Sequence, residues 1–392
     1  MSKNATIFSL LMILSSATFA QNNNSFVGKI SSFFSSKTKI GSYTFKEGAT
    51  YTGELKKGRP NGIGKTIYTN GDVYEGAYVK GKKKGLGVYR YTDGERYNGE
   101  WLNDMRHGKG SFYFINNNRY EGNWLRDKQE GEGVMYYYNG DQYNGHWTAN
   151  KRTNYGVYAW SNGAVYKGLW KEDKKWGKGK LEWSDHSYYD GDWVNDIREG
   201  KGTFQYTNGD KYVGMWKNDQ QNGSGTYFFK SGDKYVGHYL NGKKTGQGTY
   251  HFANGDCYVG EFKDGQQEGN GTFTWISGAV YKGEWKMNKR DGKGVYTWAN
   301  GDVYEGQWKE DIANGEGILR LANGIKYKGS FVNGLKEGKG VQRELSGVLY
   351  EGTFKQGKKD GDFVEKDENG KIIRKGVFYM GRIDPRKTTV LK

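Results

Sequence analysis

Large and small residues alternate along most of this chain, and the alternation returns every 23 residues. A tyrosine marks each return: Tyr51, Tyr74, Tyr97 and onward to Tyr350, fourteen copies with no insertion or deletion between them. Counting that tyrosine as position 0, Gly stands at +2 in all fourteen copies and an aromatic at +4 in thirteen, Leu55 being the exception. Glycines recur at +11 and +13, as in Gly108 and Gly110, with Asn154 and Phe363 the two departures. Rings follow at +15 and +17, as in Phe112 and Phe114. Alternation over 0, +2, +4 and again over +13, +15, +17 is the period of β-strands. Each unit therefore predicts two strands that share one face of rings and glycines. Positions +1, +3, +14 and +16 point the other way and are mostly polar, as in Asn98, Glu100, Ser111 and Tyr113.

An Asn-Gly-Asp type turn joins each unit to the next. If +18 to +22 form the connection, +17 lies opposite the next Tyr, +15 opposite the next Gly and +13 opposite the next aromatic. Rings would then face glycines across the strands. An odd connection implies a type I turn with a bulge whose glycine is left-handed. Position +20 supplies that glycine in Gly71, Gly94 and Gly140; Asn117 replaces it once, and His186 is an awkward substitute. The expected fold is all-β: an elongated single-layer antiparallel sheet of tandem β-hairpins, a twisted ribbon roughly 130 Å long for strands ~4.8 Å apart.

Composition agrees with a thin sheet. With 63 Gly, 32 Tyr, 13 Trp and only 2 Pro, rings packed on glycines must replace an aliphatic core. The single Cys257 excludes an internal disulfide framework, and no CxxC metal spacing occurs. The formal charge of +16 favours anionic partners such as acidic lipid, polysaccharide or nucleic acid, without choosing among them.

The ends differ from the repeats. Residues 1–20 read as a secretory signal peptide: Lys3, a short apolar run from Ile7 to Leu14, then Thr18-Phe19-Ala20 at a cleavage site. An uncleaved anchor is the rival reading. Residues 21–40 form a linker in which Phe26, Ile30, Phe33 and Phe34 follow Ser25 at helical spacing. A short amphipathic helix there would cover the first edge of the array, or touch a membrane. The array spans residues 41–361, opening on a half repeat at Gly41 to Phe45, and residues 362–392 form a capping hairpin and a basic tail.

Tyr-x-Gly-x-Trp, then Gly-x-Gly, then Asn-Gly-Asp every 23 residues resembles the MORN repeat family, over about 320 residues. The resemblance implies β-hairpin repeats in an extended sheet, used mainly as scaffolding. Other members carry such arrays beside lipid-kinase or histone-methyltransferase domains, or use them to bridge membranes. Binding of acidic phospholipids and self-association are both proposed for the family.

Chemistry is sparse. His107, His146, His186, His238 and His251 stand at unrelated offsets without ligand spacing. No helix pattern follows the Gly-x-Gly pairs, so no phosphate-cradling helix terminus exists. The recurring acid at +21 (Asp72, Asp141, Asp210) suits an Asx-type turn bond better than a calcium ladder, because successive turns lie ~9.6 Å apart. No catalytic set, metal site or cofactor is expected, and the chain reads as a non-enzyme.

Two surfaces remain. The segments from +5 to +10 carry 28 Lys or Arg against 15 Asp or Glu and should line one edge as loops. The candidate anion-binding residues there are Lys56, Lys57, Arg59, Lys80, Lys82, Lys83, Lys84, Lys171, Lys174, Lys175, Lys286, Lys289, Arg290, Lys355, Lys358 and Lys359. The alternative is a merely solvated edge. The candidate aromatic groove comprises Tyr97, Trp101, Tyr120, Trp124, Tyr143, Trp147, Tyr166, Trp170, Tyr189, Trp193, Tyr212 and Trp216. It would stack carbohydrate, or zip two ribbons together, unless the rings are spent packing on the glycines. The expectation is a secreted scaffold, periplasmic or extracellular, for other proteins, itself or acidic phospholipid or an anionic envelope polymer. Nucleic acid fits the charge but fits a secreted protein poorly, and no small-molecule substrate is indicated.

Overall fold

The computed structural model describes residues 39–391, so the expected signal peptide and most of the expected linker lie outside the described residues, including the helix expected around Phe26 to Phe34. The chain divides into two compact units, one through Trp176 and one from Gly177. In each, strands form a single antiparallel layer in which sequence neighbours pair. The only helical turn among the described residues is the short 3-10 segment Pro385–Lys387.

In the first unit, the half repeat Lys39–Thr44 pairs with Thr50–Lys56, which pairs with Arg59–Ile67. Lys39 and Ile40, inside the expected linker, are thus already strand. The hairpin turn is only two residues long: Lys57 and Gly58 have φ of 53° and 72°, the signature of a type I′ turn. Asn103 and Asp104 repeat it at 54° and 71°. Most of the expected +5 to +10 loop is therefore strand.

The connection between repeats is shorter than the sequence suggested. Tyr68 N–H donates to the Asp72 carbonyl at 2.9 Å, which closes a loop of only +18 to +20. Gly71 is left-handed there at φ 88°, as expected, and Asn117 and His186 adopt the same conformation at 64° and 66°. Closing two residues earlier moves the ladder by two: Thr66 faces Tyr74, Gly64 faces Gly76, and Gly62 faces Tyr78. The expected ring-against-glycine register is thus corrected to glycine against glycine. A shift of two keeps every side chain on its face, so the assignment of faces survives.

Opposed glycines leave a slot that the tyrosine fills. Tyr97 is fully buried, leans along its strand over Gly99 and Gly110, and donates its hydroxyl to the Glu100 carbonyl at 3.0 Å. A β-carbon added at Gly110 would overlap that ring. Trp101 and Trp124 meet Tyr97 edge-on at 5.2 and 5.4 Å, and Trp124 Nε1 donates to the Gly110 carbonyl at 3.1 Å. Each tryptophan thereby bridges two repeats. The second unit repeats the plan with Tyr281 between Trp285 and Trp308 at 5.3 and 5.4 Å.

The second unit ends by changing the pattern. Phe363 replaces a slot glycine opposite Gly352 and stacks on Tyr350 at 5.7 Å, while Phe378 takes the place of the next aromatic opposite Gly361. The C-terminal segment folds back onto the sheet: Thr389–Val390 pairs with Lys375 and Arg374, and Thr388 covers Gly376. Gly376 has no side chain to push that segment away, so the last edge gains a partner.

Candidate functional site

The turn edge is built from a cross-repeat clamp. Position +9 pairs with the aromatic at +4, as Arg106 does with Trp101, so its side chain lies on the aromatic face. Arg106 reaches forward to the next repeat. Asp127 Oδ1 accepts from both Arg106 N–H at 2.9 Å and Nε at 3.1 Å, and an outer guanidinium nitrogen donates to the Asp127 carbonyl at 2.9 Å. The guanidinium rests 4.5 Å from the centre of Trp124 and 5.1 Å from that of Phe112. Arg152 and Asp173 repeat the arrangement in the first unit. Arg198 with Asp219 and Arg290 with Asp311 repeat it in the second. Flat guanidinium over ring, with its edge on a carboxylate, uses both recognition modes open to arginine.

This divides the sixteen expected anion-binding residues. Lys83, Lys175, Arg290 and Lys359 do not face solvent as a rail: each cation lies over a ring, with Lys83 Nζ 4.3 Å from Trp101 and Lys359 Nζ 4.2 Å from Tyr350. Burial pushes the Lys83 ammonium down to about 8. The remaining twelve, Lys56, Lys57, Arg59, Lys80, Lys82, Lys84, Lys171, Lys174, Lys286, Lys289, Lys355 and Lys358, are exposed. Apolar side chains stand among them at the same turn positions. In the first unit these are Val79 and Leu125; in the second, Leu240, Met287, Ile312, Val332 and Leu335, each 40–61% exposed. Charge alone marks this edge in the sequence; its aliphatic component is spread over positions +5, +6 and +8 and is legible only when those positions are read together.

All twelve residues of the expected aromatic groove are buried, the tyrosines completely and the tryptophans to within 3–6%. Their faces are occupied by neighbouring rings, glycine backbone and the +9 cations, which leaves no open platform for a sugar.

At the opposite edge, the recurring aspartate does more than shape its own turn. Asp72 accepts from Thr92 N–H at 2.9 Å and from the Tyr89 hydroxyl at 2.8 Å, both in the following repeat. The local Asx bond is made by Asn70, which accepts from Asp72 N–H at 3.1 Å. Burial opposes ionisation of Asp72, but the hydrogen bonds from Asn70, Thr92 and Tyr89 outweigh it and hold the carboxyl below its ordinary range. In the second unit Asp210 and Asp233 are held in the same way.

Among the described residues no group of three or more His, Cys, Asp or Glu is placed to hold a metal ion. Cys257 lies opposite His251 with Sγ 3.8 Å from Nδ1, but burial raises the thiol, the reverse of what a nucleophilic cysteine requires. On the back of the second unit, glycines 260, 271, 283 and 294 floor a groove of about 980 Å³.

The MORN repeat family profile matches fourteen segments that run through residues 51–343 and 350–361. No curated protein matches the chain in sequence. Solved structures similar to it include the TCP10 domain of Danio rerio CPAP in complex with a STIL peptide, at 10% identity and a TM-score of 0.26, covering 63% of this chain and 93% of that one. The SAS-4 TCP domain of Drosophila melanogaster follows at 12% and 0.27, covering 40% and 85%. Virginiamycin B lyase from Staphylococcus aureus has 12% identity and a TM-score of 0.12, covering 78% and 91%.

Proposed function

Because the chain belongs to the MORN repeat family, we propose that it is a non-enzymatic scaffold that docks on acidic phospholipid surfaces through its turn edges while holding protein partners. The observation that carries this reading is the company the exposed lysines keep. At the turns, Lys286, Lys289, Lys355 and Lys358 alternate with Met287, Ile312, Val332 and Leu335. A cation near an anionic surface contributes about 1 kcal/mol, and short aliphatic side chains beside it enter the headgroup layer. Tight turns hold these groups in fixed rows, so several engage without ordering a loop first. The glycine-floored groove of the second unit is the surface offered to a protein partner. The leader at residues 1–20 supports secretion to the periplasm or the extracellular space.

Vesicle co-sedimentation tests the membrane part. Binding to phosphatidylserine vesicles should exceed binding to neutral vesicles and weaken with salt. Lys286→Glu with Lys289→Glu should reduce it several-fold, and Met287→Asn should reduce it at constant charge. Equal binding to neutral and acidic vesicles would sink the reading.

A further inference from the structure

Cations at +9 fill aromatic boxes along the array. Lys83 Nζ sits 4.3 to 5.6 Å from the ring centres of Trp101, Tyr89, Tyr74 and Tyr68. Arg106, Arg152, Arg198, Lys244 and Arg290 occupy equivalent boxes, each over three rings. Gln129, Gln221, Gln267 and Ala313 leave +9 uncharged in four later repeats, and the first repeat departs in two ways at once. Its +9 residue is Pro60, which carries no charge, and its +15 residue is Thr66, where the next two repeats have Tyr89 and Phe112. Pro60 lines a cavity of about 510 Å³ in the first unit, walled by the rings of Tyr43, Phe45, Tyr68 and Tyr78, with Lys83 and Asp104 on the side where Lys83 Nζ lies 5.6 Å from the Tyr68 ring. Glu47 stands at its rim, and Arg59, Lys80 and Lys82 line the same cavity from exposed positions.

We propose that this box binds a phosphocholine moiety, its trimethylammonium against Tyr43, Phe45 and Tyr78, away from Lys83, and its phosphate on Arg59, Lys80 and Lys82. A quaternary ammonium has no hydrogen to donate, so it needs ring faces and no ring of acceptors. The rings with Glu47 supply that environment, and the adjoining boxes of the same chain hold cations by the same means. A bare cation would meet the surrounding lysines unfavourably, and a bare anion would gain nothing from the rings. A zwitterion whose phosphate engages the basic rim satisfies both. The volume lies within the ordinary range of small-ligand sites, about 300–1,000 Å³.

Titration of the full chain with phosphocholine, choline chloride and inorganic phosphate, followed by calorimetry and aromatic fluorescence, tests this. Phosphocholine should bind saturably, about tenfold or more tighter than either fragment. Pro60→Lys should place the chain's own ammonium in the box and abolish binding while the thermal midpoint holds or rises. Arg59→Ala with Lys82→Ala, both at exposed positions, should weaken phosphocholine about tenfold and leave choline nearly unchanged. No saturation below about 10 mM would overturn the proposal. So would full affinity in a folded Pro60→Lys chain. If that variant does not fold, unchanged phosphocholine affinity in the Arg59/Lys82 variant overturns it instead. Phosphatidylcholine vesicles that bind and are displaced by free phosphocholine identify the source as a lipid headgroup. Vesicles that fail to bind beside a saturable solution titration identify a soluble or glycan-borne group, and both results support the box.

Discussion

Arg106 and Asp127 stand 21 residues apart in sequence, yet Asp127 Oδ1 accepts from the arginine backbone and from its side chain at once. The carboxylate thus fixes where the strand of one repeat passes the turn of the next. The arginine, held flat, covers Trp124 at 4.5 Å.

Removing either partner should loosen that junction. Arg106→Ala and Asp127→Ala should be strongly non-additive, with a coupling of about 1 kcal/mol for a charge-assisted pair that is only part buried. Arg106→Lys keeps a cation over the ring but loses the Nε bond, so its cost should fall between wild type and alanine. Urea denaturation of the double-mutant cycle checks this; additive losses would show that the clamp carries no coupling.

Two glycines separate steric from conformational cost. Gly110 to alanine drives a β-carbon into the Tyr97 ring, an overpacking expected to cost about 2–3 kcal/mol. Gly81 has φ 84° and nothing within 4 Å of an added carbon, so its alanine variant should cost only about 1 kcal/mol for the left-handed backbone. Thermal melts of the two variants should rank in that order.

Acid should destabilise the array through its aspartates. Asp72, Asp141, Asp210 and Asp233 are all held below the ordinary carboxylate range. A depressed folded value contributes stability that is present above the unfolded value near 3.9 and is lost as pH falls through the folded one. The melting temperature should therefore decline below about pH 4. Asp233→Asn should lower it at neutral pH and flatten the decline; a slope unchanged in that variant would count against the assignment.

Alkali acts on the other side. Burial raises the slot tyrosines, Tyr51 and Tyr235 to about 12. Their neutral form stabilises the fold fully below the unfolded value near 10, and that contribution is lost as pH rises through the folded value. Tyrosinate absorbance should show the slot tyrosines ionising only as the array unfolds.

The faces, the strand pairs and the left-handed glycine at +20 were legible because they depend on parity and on backbone sterics, which single residues reveal. The register was not, because it depends on whether Tyr68 closes on Asp72 or farther along, and both closures keep the same faces. Lys82 and Lys83 look alike in sequence, yet one is solvated and the other lies over Trp101. Only a two-residue turn at +6 and +7 separates them, and pairs such as Asn103-Asp104 and Asn241-Gly242 were its available signal. The clamp was hidden for the same reason, since composition made its partners read as loop charge.

Every bond of the clamp and every edge-on tryptophan reaches one repeat and no farther. Deleting 23 residues anywhere inside a unit would therefore join a strand to one with the same neighbours, whereas deleting 22 would turn every following ring to the wrong side. The gene can lengthen or shorten in one denomination only. Unequal recombination between copies would yield chains that still fold, and natural variation in this array should be counted in whole repeats.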